Sequence, residues 1–355
     1  MQTTTGRWLR KWAILWIVAA VIAGSILPVF AEEAAKPAAT AALIGMYGLG
    51  TERMLVRERA GQLELLYNTE EKPESMFVGY AGYPLQMVAA DSYRLLAYGP
   101  LRREPASARF ERDKSGRGIA VVIGPKRYQR QFFDVEEGRT FQIKPLLPTA
   151  ELRQRALSAV PPVEKGDFMM PDLVELSGLD ATIRLDIRYA TTNNFMGIQL
   201  YEEPRAFLQK AAAEAVARVH VQLRKYGYGL IVYDAYRPWY VTKMFWDATP
   251  DHQKVFVADP SKGSRHNRGG AVDLGLYQLQ TGEVLDMGSD YDEFSMRAYP
   301  AFPGGTEAQR KRRDLLRTLM EGEGFTVYPE EWWHFDYSEW RRYPILNRQF
   351  NELQR

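Results

Sequence analysis

The sequence predicts a small all-β domain followed by an α+β domain. Between about residues 42 and 135, short stretches rich in β-branched and aromatic residues alternate with turn signals. Beyond about residue 166, apolar residues recur at helical spacing in some segments and alternate in others. Several prolines separate the two patterns, so we place a domain boundary there.

Length and composition fit two globular domains. The chain has 355 residues, of which 46% are hydrophobic and 25% are charged. The net charge of +2 gives no electrostatic footprint for nucleic acid, and the basic run Arg310–Arg313 lies on a predicted helix, which favours a solvated face. The chain has no cysteine, so disulfides and a lipid-anchored N-terminal cysteine are both excluded.

Residues 1–31 are predicted to be a signal peptide. The basic stretch Arg7–Lys11 precedes the apolar stretch Trp12–Ala23, and Val29–Ala31 offers a cleavage site. The uncharged run Trp12–Phe30 spans 19 residues, which is just enough to cross a bilayer. We therefore expect an exported protein, periplasmic or secreted, that contacts the membrane only if this segment stays uncleaved.

A linker at 32–41 leads to the predicted β domain at 42–147. Turn signals at Ala60–Gly61, Asp113–Gly116 and Gly124–Pro125 separate its strands, and this spacing favours a small antiparallel sheet or barrel. It contains no catalytic constellation, so we expect a structural or docking role. The expected strands are Arg53–Arg59, Gln62–Tyr67, Tyr93–Tyr98, Ala108–Arg112, Gly118–Ile123 and Lys126–Phe133.

The α+β domain is expected at 166–355, after a proline-containing linker at 148–165. The spacing of apolar residues predicts a helix over Pro204–Tyr226, and a strand is expected over Gly229–Tyr236. A capping box at Thr306–Gln309 marks the start of another helix. We expect the strands to form a central antiparallel sheet flanked by helices.

Two short segments carry the groups of a metal site. The segment from Ser264 to Asp273 contains His266, and the segment from Glu331 ends at His334; the chain has only four histidines. Two imidazoles and one carboxylate, with a fourth position open, are typical ligands of a catalytic zinc. A further carboxylate beside the open position is the expected general base. We therefore predict a zinc-dependent peptidase with one zinc per chain.

Alternation along two predicted strands places these groups. Asp273 shares its strand face with an alanine and a glycine, which leaves room for a ligand to approach. His334 and Asp336 share a face of Trp332–Tyr337, so Asp336 is a candidate to orient the imidazole. In a straight strand Glu331 would point away from His334, so the strand must start after Glu331 or bulge there.

Other catalytic chemistries find little support. The sequence contains no His-Glu-x-x-His stretch and no Gly-x-Ser-x-Gly elbow, and cysteine catalysis is impossible. His220 lies in a predicted helix and His252 in a polar loop, so we expect structural or solvated roles for both.

The motifs resemble those of the zinc D-alanyl-D-alanine dipeptidases, the VanX-like M15 peptidases. The main pair is Ser-x-His-x-x-Gly-x-Ala-x-Asp at 264–273 and Glu-x-Trp-His at 331–334. Asp186–Gly197, Tyr233–Pro238 and Met287–Asp292 match further motifs in the same order, so the resemblance covers most of residues 170–345. Its implied zinc ligands are His266, Asp273 and His334, with Glu331 as catalytic base and Arg237 stabilising the transition state.

The resemblance also implies contacts with a small D,D-dipeptide at Tyr189, Ser264 and Asp292, with Asp292 pairing with the free ammonium group. The export segment and the β domain depart from the family pattern, which leaves the physiological substrate open. A D,D-carboxypeptidase acting on longer peptidoglycan peptides and a non-catalytic cell-wall peptide-binding protein are the alternatives. A pocket for a free amine distinguishes the dipeptidase, because it rejects an acetylated dipeptide.

Overall fold

The computed structural model describes residues 38–68, 80–96 and 107–353. Within these ranges a closed eight-stranded barrel precedes mixed helices and sheets, the largest sheet having five strands. The predicted signal peptide and most of the linker after it lie outside the described residues. No helix among the described residues combines the length and apolar character needed to cross a membrane.

A short helix, α1 (Ala38–Ala41), leads into the barrel. Its described strands are β1 (Gly45–Tyr47), β2 (Met54–Arg59), β3 (Gln62–Asn68), β4 (Tyr80–Ala89), β5 (Ser92–Leu95), β6 (Ser107–Arg112), β7 (Gly118–Ile123) and β8 (Lys126–Gln131). Each strand pairs antiparallel with the next, and β1 pairs with β8 to close the barrel. The sequence predicts neither β1, which is very short, nor β4, in which Gly82 and Pro84 obscure the strand pattern.

Alternating side chains fill the barrel. Tyr47 and Phe110 point inward, where their rings meet edge to face at a centroid distance of 5.9 Å. On the outer surface Met46, Leu55 and Leu66 are buried as well, and they form a cluster with residues from the second half of the chain. The barrel therefore packs on the rest of the chain through an apolar outer patch.

The second half contains α2 (Thr149–Ser158), β9 (Leu173–Glu175), α3 (Leu176–Leu179), β10 (Arg184–Leu185), β11 (Phe207–Gln209), α4 (Lys210–Leu223), β12 (Tyr228–Asp234), α5 (Trp239–Ala248), β13 (Ala271–Gln278), α6 (Glu307–Gly322), β14 (Phe325–Tyr328) and β15 (Glu331–Tyr337). Its main sheet has the order β10-β12-β13-β15-β14, and β9 pairs with β11. Helices α4 and α6 contact the sheet, and α2 packs on α5. Because β10 pairs parallel to β12, the expected antiparallel sheet is in fact mixed.

The helix predicted from Pro204 begins only at Lys210, because Phe207–Gln209 forms strand β11 instead. The backbone N–H of Gln209 donates to the carbonyl of Gly269 at 2.9 Å, and its side-chain Nε2 donates to the carbonyl of Arg268 at 2.7 Å. These long-range hydrogen bonds outweigh the local helical spacing.

Two irregularities in the sheet aim side chains toward one region. In β12 the register shifts after Val232, so that Asp234 lies opposite Asp273 of β13. In β15 the register shifts so that Glu331 lies opposite Tyr328, while Asp273 lies opposite His334 across the β13–β15 pair. Bulges of this kind redirect side chains without ending the sheet. This bulge at the start of β15 is the irregularity that the sequence requires if Glu331 and His334 are to face the same site.

Candidate metal centre and active site

The loop before β13 holds His266 in a short 3₁₀ turn, and the buried side chain of Asn267 fixes that turn. Asn267 Nδ2 donates to the carbonyl of Arg237 at 2.8 Å, and its Oδ1 accepts from the backbone N–H of Ser264 at 2.7 Å. One amide therefore ties the loop to the residues that follow β12.

Gly269 and Gly270 turn this loop back into β13. Gly269 has a φ of 63°, a left-handed conformation that favours glycine. At Gly270 an added Cβ would lie 2.5 Å from Cβ of Trp340, so only glycine allows this close approach. The two glycines thereby bring His266 next to the strand that carries Asp273.

Three ligand atoms converge at this point, and their side chains are buried. His266 Nε2 lies 3.0 Å from His334 Nδ1, and Asp273 Oδ1 lies 3.4 Å from the first nitrogen and 3.0 Å from the second. Ligands about 2.0–2.1 Å from a tetrahedral zinc stand about 3.3 Å apart. The three atoms are therefore spaced as one zinc ion would hold them.

Each imidazole forms a hydrogen bond through the nitrogen that faces away from the three converging atoms. His266 Nδ1 donates to the carbonyl of Ala235 at 2.7 Å, and His334 Nε2 donates to Asp336 at 2.9 Å. A neutral imidazole that donates from one nitrogen has a bare lone pair on the other. Asp273 Oδ1, beside these lone pairs, is buried without a hydrogen-bond partner among the described residues. Three such atoms repel each other unless a cation lies between them, so the donor set fits a metal ion.

The electrostatics agree with a cation site. Burial opposes a charge on His334, but the neighbouring carboxylates of Asp273 and Asp336 raise its pKa to about 10. Burial also opposes ionisation of Asp273, yet His266 and His334 hold its pKa below the usual range. A metal ion that binds here must displace a proton, so binding is expected to be linked to pH.

Glu331 lies beside the three ligand atoms, with its Oε2 3.8 Å from His334 Nδ1. Burial is the main reason why the pKa of Glu331 is raised to about 7. A carboxylate with a pKa near neutrality can both accept and release a proton under physiological conditions. Its position and its pKa fit a general base.

Arg237 presents a fixed positive charge on the other side of Asp273. Its Nε and Nη2 donate to Asp234 Oδ2 at 3.0 and 2.7 Å, and its Nη2 lies 4.0 Å from Asp273 Oδ2. The guanidinium stacks over the rings of Tyr189 and Phe245. Although burial opposes the charge, Asp234 raises the pKa of Arg237 above its ordinary value, so the side chain stays charged.

Asp292 faces the same space in an unusual backbone conformation, with a φ of 58°. Its Oδ2 accepts a hydrogen bond from Tyr189 Oη at 2.8 Å. Burial and the charge of Asp273 raise the pKa of Asp292 well above the ordinary value. A nearby positive group would stabilise its ionised form.

All eight site residues predicted from the sequence line one cavity of about 160 Å³. They are Tyr189, Arg237, Ser264, His266, Asp273, Asp292, Glu331 and His334. Ligand pockets for larger molecules are typically about 300–1,000 Å³, so this cavity suits a small ligand. Phe256 and Phe294, with ring centroids 4.6 Å apart, form an apolar part of its wall.

Sequence reasoning assigned no role to three residues at the site. Asp234 pairs with Arg237, and Tyr291 Oη donates to Asp273 Oδ2 at 2.9 Å. Arg265 lines the cavity, and its Nε lies 3.2 Å from Asp336 Oδ2. Asp234 lies in the motif Tyr233–Pro238 and Tyr291 lies in the motif Met287–Asp292. Their location in these motifs was the signal in the sequence that both residues belong to the site.

Comparison with known proteins matches residues 169–355 to the peptidase family M15 model, described as D-ala-D-ala dipeptidase. The D-alanyl-D-alanine dipeptidase of Escherichia coli (strain K12) is 37% identical over 180 residues, covering 51% of this chain and 92% of that protein. The protein of the same name from Enterococcus faecalis (strain V583) is 35% identical over 174 residues, covering 43% and 85%. That of Streptomyces coelicolor is 32% identical over 192 residues, covering 49% and 93%.

Replacement of a candidate ligand histidine should abolish tight zinc binding. In isothermal titration, we expect the purified protein to bind one zinc per chain and to release protons as it does so. His334→Ala should weaken binding by more than the roughly 10- to 100-fold typical of losing an outer-shell partner. His252→Ala, which changes an exposed histidine outside the cavity, is the control. Equal zinc affinity in the wild type and His334→Ala would rule out this site.

Proposed function

Because the chain belongs to the M15 peptidase family of D-Ala-D-Ala dipeptidases, we propose that it hydrolyses D-alanyl-D-alanine to D-alanine with one bound zinc ion. One observation carries the proposal: His266, Asp273 and His334 converge in a small cavity with Glu331 beside them. Two imidazoles and a carboxylate leave a zinc ion one position for water and substrate.

Zinc held by these three residues would supply a Lewis acid that polarises the scissile carbonyl and makes a water molecule more acidic. Glu331 would accept the proton of the attacking water and pass it to the nitrogen of the leaving D-alanine. Its raised pKa suits both transfers, because neither protonation state is strongly favoured near neutral pH.

Arg237 would stabilise the negative charge that develops on the carbonyl oxygen. Its guanidinium is held by Asp234 and by the rings of Tyr189 and Phe245, so it needs little rearrangement during the reaction. Preorganised donors of this kind typically contribute about 3–4 kcal/mol to transition-state stabilisation.

Asp292 would receive the free ammonium group of the dipeptide. Its carboxylate is buried, accepts a hydrogen bond from Tyr189, and lies close enough to Asp273 for that charge to disfavour ionisation. An ammonium group relieves this repulsion. Ser264, which lines the cavity, would provide a further polar contact to the dipeptide.

We also propose that the enzyme acts after export. The charged and apolar pattern of residues 7–31 supports this location, where dipeptides released from the cell wall would be substrates. Cell fractionation with N-terminal sequencing of the mature protein tests it. Full-length protein confined to the cytoplasm would contradict the proposal.

Substrate preference gives the direct test of function. Purified protein should hydrolyse free D-Ala-D-Ala and lose that activity when a chelator removes zinc. It should be far less active on N-acetyl-D-Ala-D-Ala, because acetylation removes the charge that Asp292 would bind. Preference for the acetylated form or for a wall pentapeptide indicates a D,D-carboxypeptidase, and binding without hydrolysis indicates a peptide-binding protein.

Glu331→Gln should bind zinc as the wild type does but lose most hydrolysis. Removal of a general base typically costs about 10²- to 10⁴-fold in rate. We expect the loss in kcat, measured with zinc-loaded protein, with little change in KM. Glu330→Gln, on the preceding residue, is the matched control and should keep wild-type kcat. Unchanged hydrolysis in Glu331→Gln would remove this residue from the mechanism.

The pH dependence of kcat/KM should report the same carboxylate. Glu331 is active as a base only when ionised, so activity should fall as the pH drops through its pKa of about 7. Because a bound zinc would favour the ionised form, the acid limb is expected at or somewhat below this value. A flat profile between about pH 5 and pH 8 would contradict the assignment.

A further inference from the structure

The barrel contains none of the eight predicted site residues, yet it packs on the segment that carries Tyr291 and Asp292. We propose that the barrel positions the ammonium loop, defined as Met287–Phe302, and thereby supports recognition of the substrate's free amine. This inference rests on the proposed function of Asp292.

The barrel meets the ammonium loop through an apolar row on its outer surface. Met46 lies opposite Leu55 in the β1–β2 pair, and Leu55 lies opposite Leu66 in the β2–β3 pair. The three side chains therefore form one continuous row across three strands, and all are nearly fully buried. Phe302 is buried in the same cluster, and Met296 packs against it.

Polar contacts continue the interface past the end of the loop. Arg57 of β2 donates from Nη1 to the carbonyl of Pro303 at 3.1 Å. The backbone N–H of Glu58 donates to the carbonyl of Gly305 at 3.0 Å, and Glu58 Oε2 accepts from the backbone N–H of Glu307 at 3.1 Å. The chain leaving the loop is therefore fixed to the barrel as far as the start of α6.

Two arginines carry this restraint to the other end of the loop. Arg313 of α6 donates from Nη2 to the carbonyl of Phe302 at 2.8 Å and from Nη1 to that of Met287 at 2.6 Å. Arg297 donates from Nε and Nη2 to the carbonyl of Gly288 at 3.0 and 2.8 Å. Fixing Phe302 on the barrel therefore also restrains the residues just before Tyr291.

The loop needs such support because its functional part is strained. Asp292 has a left-handed backbone, which a non-glycine residue keeps only when its surroundings hold it. The side chains of Tyr291 and Asp292 reach Asp273 and Tyr189, both outside the loop. A looser loop would misplace the ammonium partner and release a hydrogen bond on the metal ligand.

Adjacent leucines of β3 provide a matched test in the full chain. Leu66 faces the ammonium loop and Leu65 faces the barrel interior, and both are almost completely buried. Leu66→Ala and Leu65→Ala remove the same atoms from opposite faces of one strand. Both should lower the melting temperature, but only Leu66→Ala should speed hydrogen exchange within 287–302.

Kinetics supply the second measurement. Leu66→Ala should lower the preference for free over N-acetylated D-Ala-D-Ala by roughly 2- to 30-fold, the range expected for indirect coupling. Leu65→Ala should keep the wild-type preference. If Leu66→Ala does not fold, Met46→Ala tests the same row, and Phe302→Leu should retain more of the preference than Phe302→Ala.

Equal exchange in the loop for Leu66→Ala and Leu65→Ala, with unchanged substrate preference, would overturn the role of the barrel. Wild-type protein that does not hydrolyse D-Ala-D-Ala would instead refute the proposed function. Hydrogen exchange needs no substrate, so the two failures can be told apart.

Discussion

The approach of two imidazole nitrogens and one carboxylate oxygen to within 3.4 Å of each other is the constraint on which the site depends. None of these atoms has a proton to share when both imidazoles are neutral, so their proximity is unfavourable without a cation. Ala235 and Asp336 fix the imidazole orientations from outside, and Tyr291 holds the second oxygen of Asp273. Each of the three side chains therefore presents one polar atom to the candidate metal site and uses its other polar atom in a hydrogen bond that fixes its orientation.

The carboxylates in and around the cavity differ in the positive groups that they face. Asp234 lies behind the cavity wall and pairs with Arg237, whereas the carboxylates of Asp273, Glu331 and Asp292 line the cavity itself. In the proposed reaction each of these three meets a different positive partner, namely a metal ion, a transferred proton and an ammonium group. Burial raises the pKa of Glu331 and of Asp292, whereas the two histidines keep Asp273 ionised. A shared cavity therefore contains carboxylates with distinct acidities.

The parts of the site that could be predicted from sequence were those with short-range patterns. Alternation in β13 separates Asp273 from the core residues beside it, and the combination of His266, Asp273 and His334 in two short motifs indicates the metal chemistry. The predicted start of helix α4 at Pro204 was wrong, because Phe207–Gln209 pairs with strand β9 and forms β11 instead. The hydrogen bond from Tyr291 to Asp273 and the clustering of Leu66 with Phe302 depend on the tertiary arrangement, which the local spacing of residues does not predict.

The strand order of the two sheets has a consequence for how the protein folds. In the barrel, strands that are neighbours in sequence are neighbours in space, apart from the closing pair of β1 and β8, whereas the five-stranded sheet also joins β10 to β12 and β13 to β15, which are not consecutive. Contacts between nearby segments form faster than those that close long loops. We therefore expect the β13–β15 pair, which places Asp273 opposite His334, to form later than the hairpin pairs of either sheet.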